Sequence, residues 1–181
     1  MRYEILVDRT ERPNKCSILP LAYRSDFRIV RFDRRRAILP LGGSLLLHPD
    51  GAALSRSTAD EIAGSDAIVL CAIDCNWKRL QTVIDRVVGP LPPRVRIPDG
   101  FQTCYRRRSK RDLDPASGLA TIEALFIASA FLGVWDESLL REYPMRAEFL
   151  SLNAPLFERY GVVTSNSDSS VSNEPSHIAL P

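Results

Sequence analysis

Ala67-Ile68-Val69-Leu70-Cys71-Ala72-Ile73-Asp74-Cys75-Asn76-Trp77 is the stretch on which the fold turns. Residues 67–73 carry no charge and no alternation, which suits a strand buried on both faces of a parallel sheet. Beyond Trp77, apolar residues recur at helical spacing (Leu80, Val83, Ile84, Val87, Val88), and the pattern stops before Pro90. A buried strand, a short loop and a helix make one α/β unit. Open parallel sheets of this kind take ligands at the carboxyl ends of their strands, where Asp74 and Trp77 fall.

Working outward, residues 3–7, 27–31 and 37–41 read as strands, the last two separated by the turn-like Asp33-Arg34-Arg35-Arg36. Residues 44–48 read as a short strand ending at the turn signal Pro49-Asp50-Gly51. Ser57-Thr58-Ala59-Asp60-Glu61 opens a short helix that Ser57 can cap. The proline-rich 90–98 is a loop or an edge strand, and 101–105 a brief strand. A nearly all-apolar helix spans 119–132 and must be buried, and two further helices lie near 136–142 and 145–160. The expected fold is α/β, with a mostly parallel N-terminal sheet half (1–105) and a helical C-terminal half (106–161). From Thr164 the chain is rich in Ser and Asn, without periodicity, and reads as a disordered tail.

The 181 residues suit one domain, and the proportions of apolar (45%) and charged (25%) residues are those of a globular protein. Apolar runs stop at about ten residues, short of the ~20 that cross a bilayer. The N-terminus lacks the apolar core and cleavage site of a signal peptide, so a cytoplasmic location is expected. Cys16, Cys71, Cys75 and Cys104 form no CxxC pair and lie far from a paired histidine, so they are taken as reduced and structural, with no metal site. The net charge of +2 announces no nucleic-acid binder, but the positive charge is concentrated. Arg34–Arg36 is one cluster. Arg94, Arg96, Arg106, Arg107, Arg108, Lys110 and Arg111 form another, against Asp99 alone. Local patches of this kind bind phosphates, and solvated loops look the same.

Three sites carry candidate chemistry. Asp74 and Trp77 together can grip a small cation by charge and by cation–π attraction; an N-cap aspartate before a core tryptophan gives the same local sequence. Glu123 sits early in an apolar helix, as a perturbed functional carboxylate or as a cap at the positive helix end. Ser17, after Lys15-Cys16, opens a turn and can be a cap.

In order and spacing these segments resemble the ribosomal small-subunit rRNA aminocarboxypropyltransferases, which are related to the DTW-domain tRNA-uridine transferases and to SPOUT-type enzymes. The family's opening Asp-Pro-Lys-Lys-Cys-Ser/Thr segment is matched by Asp8 and Asn14-Lys15-Cys16-Ser17, with the proline moved to Pro13. Leu54-Ser55 and Asp60 match its Leu-Ser-x-x-Asp region loosely. Its strand ending Asp-Cys-Ser-Trp is matched by Asp74-Cys75-Asn76-Trp77, and its glutamate helix by Thr121-Ile122-Glu123-Ala124. Phe149-Leu150-Ser151-Leu152-Asn153 and Leu156-Phe157-Glu158-Arg159-Tyr160 match the closing motifs. The likeness covers residues 1 to about 161. It departs at Thr103-Cys104-Tyr105-Arg106-Arg107-Arg108-Ser109, which is more similar to the Tyr-x-x-Arg pattern of the tRNA enzymes.

The resemblance implies a SPOUT-like fold with a knotted cofactor loop, and S-adenosylmethionine as the cofactor. The reaction it implies is transfer of the 3-amino-3-carboxypropyl (acp) group to a base nitrogen of RNA, with rRNA ahead of a tRNA uridine. An RNA methyltransferase and a catalytically silent RNA-binding module are the alternatives. The absence of a glycine-rich fingerprint argues against a Rossmann methyltransferase. By the same resemblance, Ser17 holds the carboxylate of the transferred chain, and Asp74 faces its ammonium or the acceptor base. Trp77 walls the pocket at the methyl group, Leu39, Leu41 and Leu119 sandwich the adenine, and Thr121 joins the cofactor site. Glu123 orients or deprotonates the base, and Arg106, Arg107, Arg108, Lys110 and Arg111 take the RNA phosphates. The implied partner is RNA within a ribosomal subunit precursor, bound by a monomer, with no membrane.

Overall fold

The structure is a computed structural model that describes residues 1–10, 13, 16–33, 35–38, 40–55, 57–58, 61, 67–105 and 118–162. The uncharged run forms β4 (Val69–Asp74) and lies at the centre of a five-stranded sheet. Its companions are β1 (Arg2–Asp8), β2 (Phe27–Phe32), β3 (Leu45–Ala53) and β5 (Arg94–Arg96). The order is β2-β1-β4-β3-β5 and every ladder is parallel. The register sets Val7 beside Asp74 and Asp8 beside Phe32, so β1, β2 and β4 end along one edge.

Side chains alternate between the two faces of the sheet, and each face has its own core. Tyr3, Ile5, Val7, Leu70 and Ala72 join the larger core with the helices α2 (Thr121–Phe131) and α3 (Arg146–Arg159). Leu6, Leu46 and Cys71 join the smaller one, with Phe32, Ile38, Leu41 and Val83 of the short helix α1 (Leu80–Ile84). The α2 helix is apolar all round and buried at nine of its positions, as its sequence requires. Among the described residues no helix is long and apolar enough to cross a membrane.

Several boundaries differ from expectation. The described residues of 37–41 form no strand: Ile38 makes one isolated bridge to Val87, donating to Arg86 O and accepting from Val88 N at 3.0 and 2.9 Å. Pro40 has no N–H to extend that ladder. The same bridge draws Val87 and Val88 out of the helix, so α1 ends at Ile84. Residues 101–105 are not a strand either, because side chains take up their backbone groups. Asn153 holds both the N–H and the C=O of Gln102 (2.8 and 2.9 Å), and Glu123 accepts Cys104 N–H at 2.9 Å. Asp136 caps a 3-10 turn over Glu137–Leu140 where a helix over 136–142 was expected. Ser57 lies inside its helical turn and does not cap it.

The turn signal Pro49-Asp50-Gly51 does not end β3. Leu47 and Ala52 both register with Val95, so residues 48–51 are an insertion in the β3–β5 ladder within a continuous strand. A Cβ on Gly51 would lie 2.5 Å from the Val95 backbone, so only glycine permits this approach. The expected 164–181 tail lies outside the described residues.

Candidate functional site

A cleft of about 500 Å³ opens where β4 and β5 end and α2 begins. Its walls are largely apolar: Leu47 and Pro49 on the β3 bulge, Ala72, Ile73 and Leu80, Ile97 after β5, and Leu119 and Ala124 at α2. Its size and lining are those of a small-molecule site. The polar groups at its wall are few. Thr121 and Cys75 line it, and Arg96 and Asp99 form an ion pair at 3.0 Å along it. His48 also lines it. Its Nδ1 accepts the Asp50 amide at 3.1 Å, and burial, then nearby Arg94, lowers its pKa. A neutral imidazole of this tautomer carries its hydrogen on Nε2.

Trp77 is half-buried and lines the cleft, while the cap of its 3-10 turn is Asn76, whose Oδ1 accepts Lys78 N at 3.1 Å. Asp74 is therefore not a cap. Its Oδ1 accepts the Thr121 hydroxyl at 2.8 Å, and its Oδ2 accepts the Cys16 thiol at 3.0 Å. It lies between the lining residues Ile73 and Cys75, behind Thr121. Trp77 Nε1 is buried and has no hydrogen-bond partner among the described residues. Ser17 is half-buried next to Cys16, just before the 3-10 turn Leu19–Tyr23.

Glu123 lies behind the wall of the cleft. It is 0% exposed and does not line the cleft. Thr103 Oγ1 and Ala120 N donate to its Oε2 at 2.6 and 2.7 Å, and Cys104 N and Tyr143 Oη to its Oε1 at 2.9 and 2.7 Å. Burial, then Glu123 itself, pushes the Tyr143 phenol up, so it stays a donor. Four donors occupy both carboxylate oxygens. The Ala120 bond is the return half of a capping box. Glu123 anchors the 103–105 loop and the start of α2.

Leu41 lies away from the residues that line the cleft. It is 6% exposed, in the small core with Leu6, Leu46 and Cys71, on the sheet face opposite Asp74. Leu47, Pro49 and Ile97 stand at the cleft in its place. Their sequence signal was hidden, because Pro49 reads as punctuation and Ile97 as part of a proline-rich loop. Leu39 and the basic residues Arg106, Arg107, Arg108, Lys110 and Arg111 lie outside the described residues. Of the expected site, the fold brings Trp77, Leu119 and Thr121 to one cleft, with Asp74 beside it.

No protein-family model matches the chain, and no curated protein matches it. A search of solved structures finds the SAM-dependent rRNA:acp-transferase Tsr3 from Vulcanisaeta distributa, with TM-score 0.63 and 25% sequence identity, covering 88% of this chain and 82% of that one. The motifs quoted above and the three-dimensional likeness thus converge on one family, the rRNA aminocarboxypropyltransferases, to which this chain is similar over most of its length.

Proposed function

We propose that this chain transfers the 3-amino-3-carboxypropyl group of S-adenosylmethionine to a base nitrogen of rRNA in the cytoplasm. The observation that carries the reading is the structural likeness to the Tsr3 transferase across 88% of the chain. We take residues 1–161 as one transferase unit. The large core, which joins sheet and helices, supports this. A SPOUT-like knotted cofactor loop belongs to the same reading, at the cleft formed by the chain after β4, after β5 and before α2.

The cleft fits the cofactor. Leu47, Pro49, Ile97 and Leu119 offer apolar walls for a flat purine, and the buried, unpartnered Trp77 N–H is a donor for an acceptor on a bound molecule. Bound S-adenosylmethionine supplies an electrophilic carbon beside its sulfonium, with methylthioadenosine as the leaving group. Trp77, at the cleft wall, would hold that positive charge by cation–π attraction, and its bulk would exclude water. In this reading Ser17 takes the carboxylate of the amino-acid chain. Asp74, at the strand end between the cleft and Ser17, accepts the N–H of the acceptor base and orients that nitrogen toward the carbon. Glu123 keeps the 103–105 loop and α2 in place. RNA of a ribosomal subunit precursor reaches a monomeric enzyme through the basic segment 94–111.

Incubation of the chain with S-adenosylmethionine and precursor rRNA is expected to release methylthioadenosine and yield an acp-modified base. Release of S-adenosylhomocysteine would make it a methyltransferase; no product of either kind, with RNA bound, would make it a silent binding module. Trp77→Ala is expected to weaken cofactor binding by roughly 1–3 kcal/mol in calorimetric titration. Unchanged affinity in a folded variant rules out the pocket.

A further inference from the structure

Two side chains far apart in sequence meet at the Asp74 carboxylate. Cys16 comes from the loop after β1 and Thr121 is the first residue of α2. Each donates to a different oxygen, at 3.0 and 2.8 Å. A planar carboxylate held at both oxygens loses its freedom to rotate about χ2. The thiol is fixed in turn, because Leu19 N–H donates to its sulfur at 3.4 Å. Cys16 is 7% exposed, and burial, then the charge of Asp74, pushes its thiol up to about 12, so it keeps the hydrogen it donates. An S–H is a weak donor to neutral acceptors but is strengthened by an ionised one.

Cys71 makes a longer and weaker contact of the same kind in this fold. It lies 3.8 Å from Glu4, whose oxygens are already taken by Arg28 and by Gly42 N–H. Cys16 instead supplies the hydrogen bond recorded at Asp74 Oδ2.

We propose that Cys16 and Thr121 are positioning residues, a two-point clamp that sets the orientation of Asp74 toward the acceptor base. This rests on the acp-transfer reading. The N-terminal loop and α2 are the two posts of the clamp. Both are fastened independently of Asp74: the loop end by Leu21 in the large core, and the helix start by Glu123. Misplacing a reacting group by about 1 Å can cost on the order of a hundredfold in rate, which is the scale on which such a clamp acts.

The test uses the full chain and four variants: Cys16→Ala and Thr121→Val, which remove a donor, and Cys16→Ser and Thr121→Ser, which keep one. Cys16→Ala and Thr121→Val are each expected to lower kcat by about ten- to a hundredfold. Cofactor affinity in Cys16→Ala should stay at the parent value, and both serine variants should recover most of the rate. A Cys16→Ser enzyme as slow as Cys16→Ala, or a rate that simply follows the melting temperature across the set, overturns the clamp. A second readout needs no activity. The carboxyl carbon resonance of Asp74, assigned by its loss in Asp74→Asn, should move in Cys16→Ala and return in Cys16→Ser. An unmoved resonance overturns the clamp as well. If the parent transfers nothing, the functional reading fails, and the resonance alone decides the clamp.

Discussion

Cys16 and Cys71 lie on opposite faces of the sheet, and each donates toward a carboxylate. Burial, then the adjacent Asp74 or Glu4, pushes each thiol from 9.0 up to about 12. Above pH 9 the unfolded chain therefore releases these protons while the folded chain keeps them. The folded state binds more protons, so stability falls as pH rises, and the contribution is fully present only below pH 9. The loss is on the order of 1 kcal/mol per thiol per pH unit over the window from 9 to 12. Urea unfolding at pH 8 and pH 10.5 is expected to show a smaller loss for the Cys16→Ala/Cys71→Ala double variant than for the parent. Parallel losses would mean that the thiols do not carry the effect. At this scale the sequence names reactive types but not their partners. Asp74 and Cys16 are 58 residues apart, and no local pattern pairs them.

The β3 bulge is the element that the sequence disguises. Pro49-Asp50-Gly51 has the composition of a chain reversal, and in the structure it is a register shift inside β3. The strand nevertheless continues, because β5 offers Val95 to both sides of the bulge. This irregularity carries Pro49 to the cleft. Gly51→Ala would drive a methyl against β5, within 2.6 Å of the Arg94 and Val95 backbone, which cannot swing aside. The variant is expected to lose roughly 1–3 kcal/mol in urea unfolding and to bind S-adenosylmethionine more weakly in calorimetry. Parent-like values for both would show that the bulge is neither tight nor part of the pocket. The 101–105 segment teaches the same lesson, since Asn153 and Glu123 occupy the backbone groups a neighbouring strand would have used.

For the whole molecule, the proposed approach of RNA rests on where the sequence places its charge. Arg106, Arg107 and Arg108 precede α2 in the chain, next to the segment that builds the cleft. Replacing all three by alanine is expected to weaken RNA binding and to flatten its salt dependence, the log–log slope falling by about 0.7–0.9 per lost phosphate contact. Cofactor affinity should stay unchanged. Binding as tight as the parent's at every salt concentration moves the RNA surface elsewhere, with Arg35 and Arg36 the next variants to make. The uncharged run 67–73, the apolar 119–132 and the short connections were enough to read a parallel α/β sheet and a buried helix, because burial on all sides leaves a mark on every residue of an element. The motifs around Asp74, Trp77 and Thr121 were legible too, since each is a short run with its own spacing. Tertiary structure alone decided how each carboxylate is held. Glu123 is enclosed by four donors from three separate segments, while Asp74 is held at the edge of the cleft. It also sent Leu41 to the far face and brought Pro49 to the near one. Those outcomes depend on contacts between residues distant in the chain, and such contacts form only once the sheet has chosen its order and each strand its register.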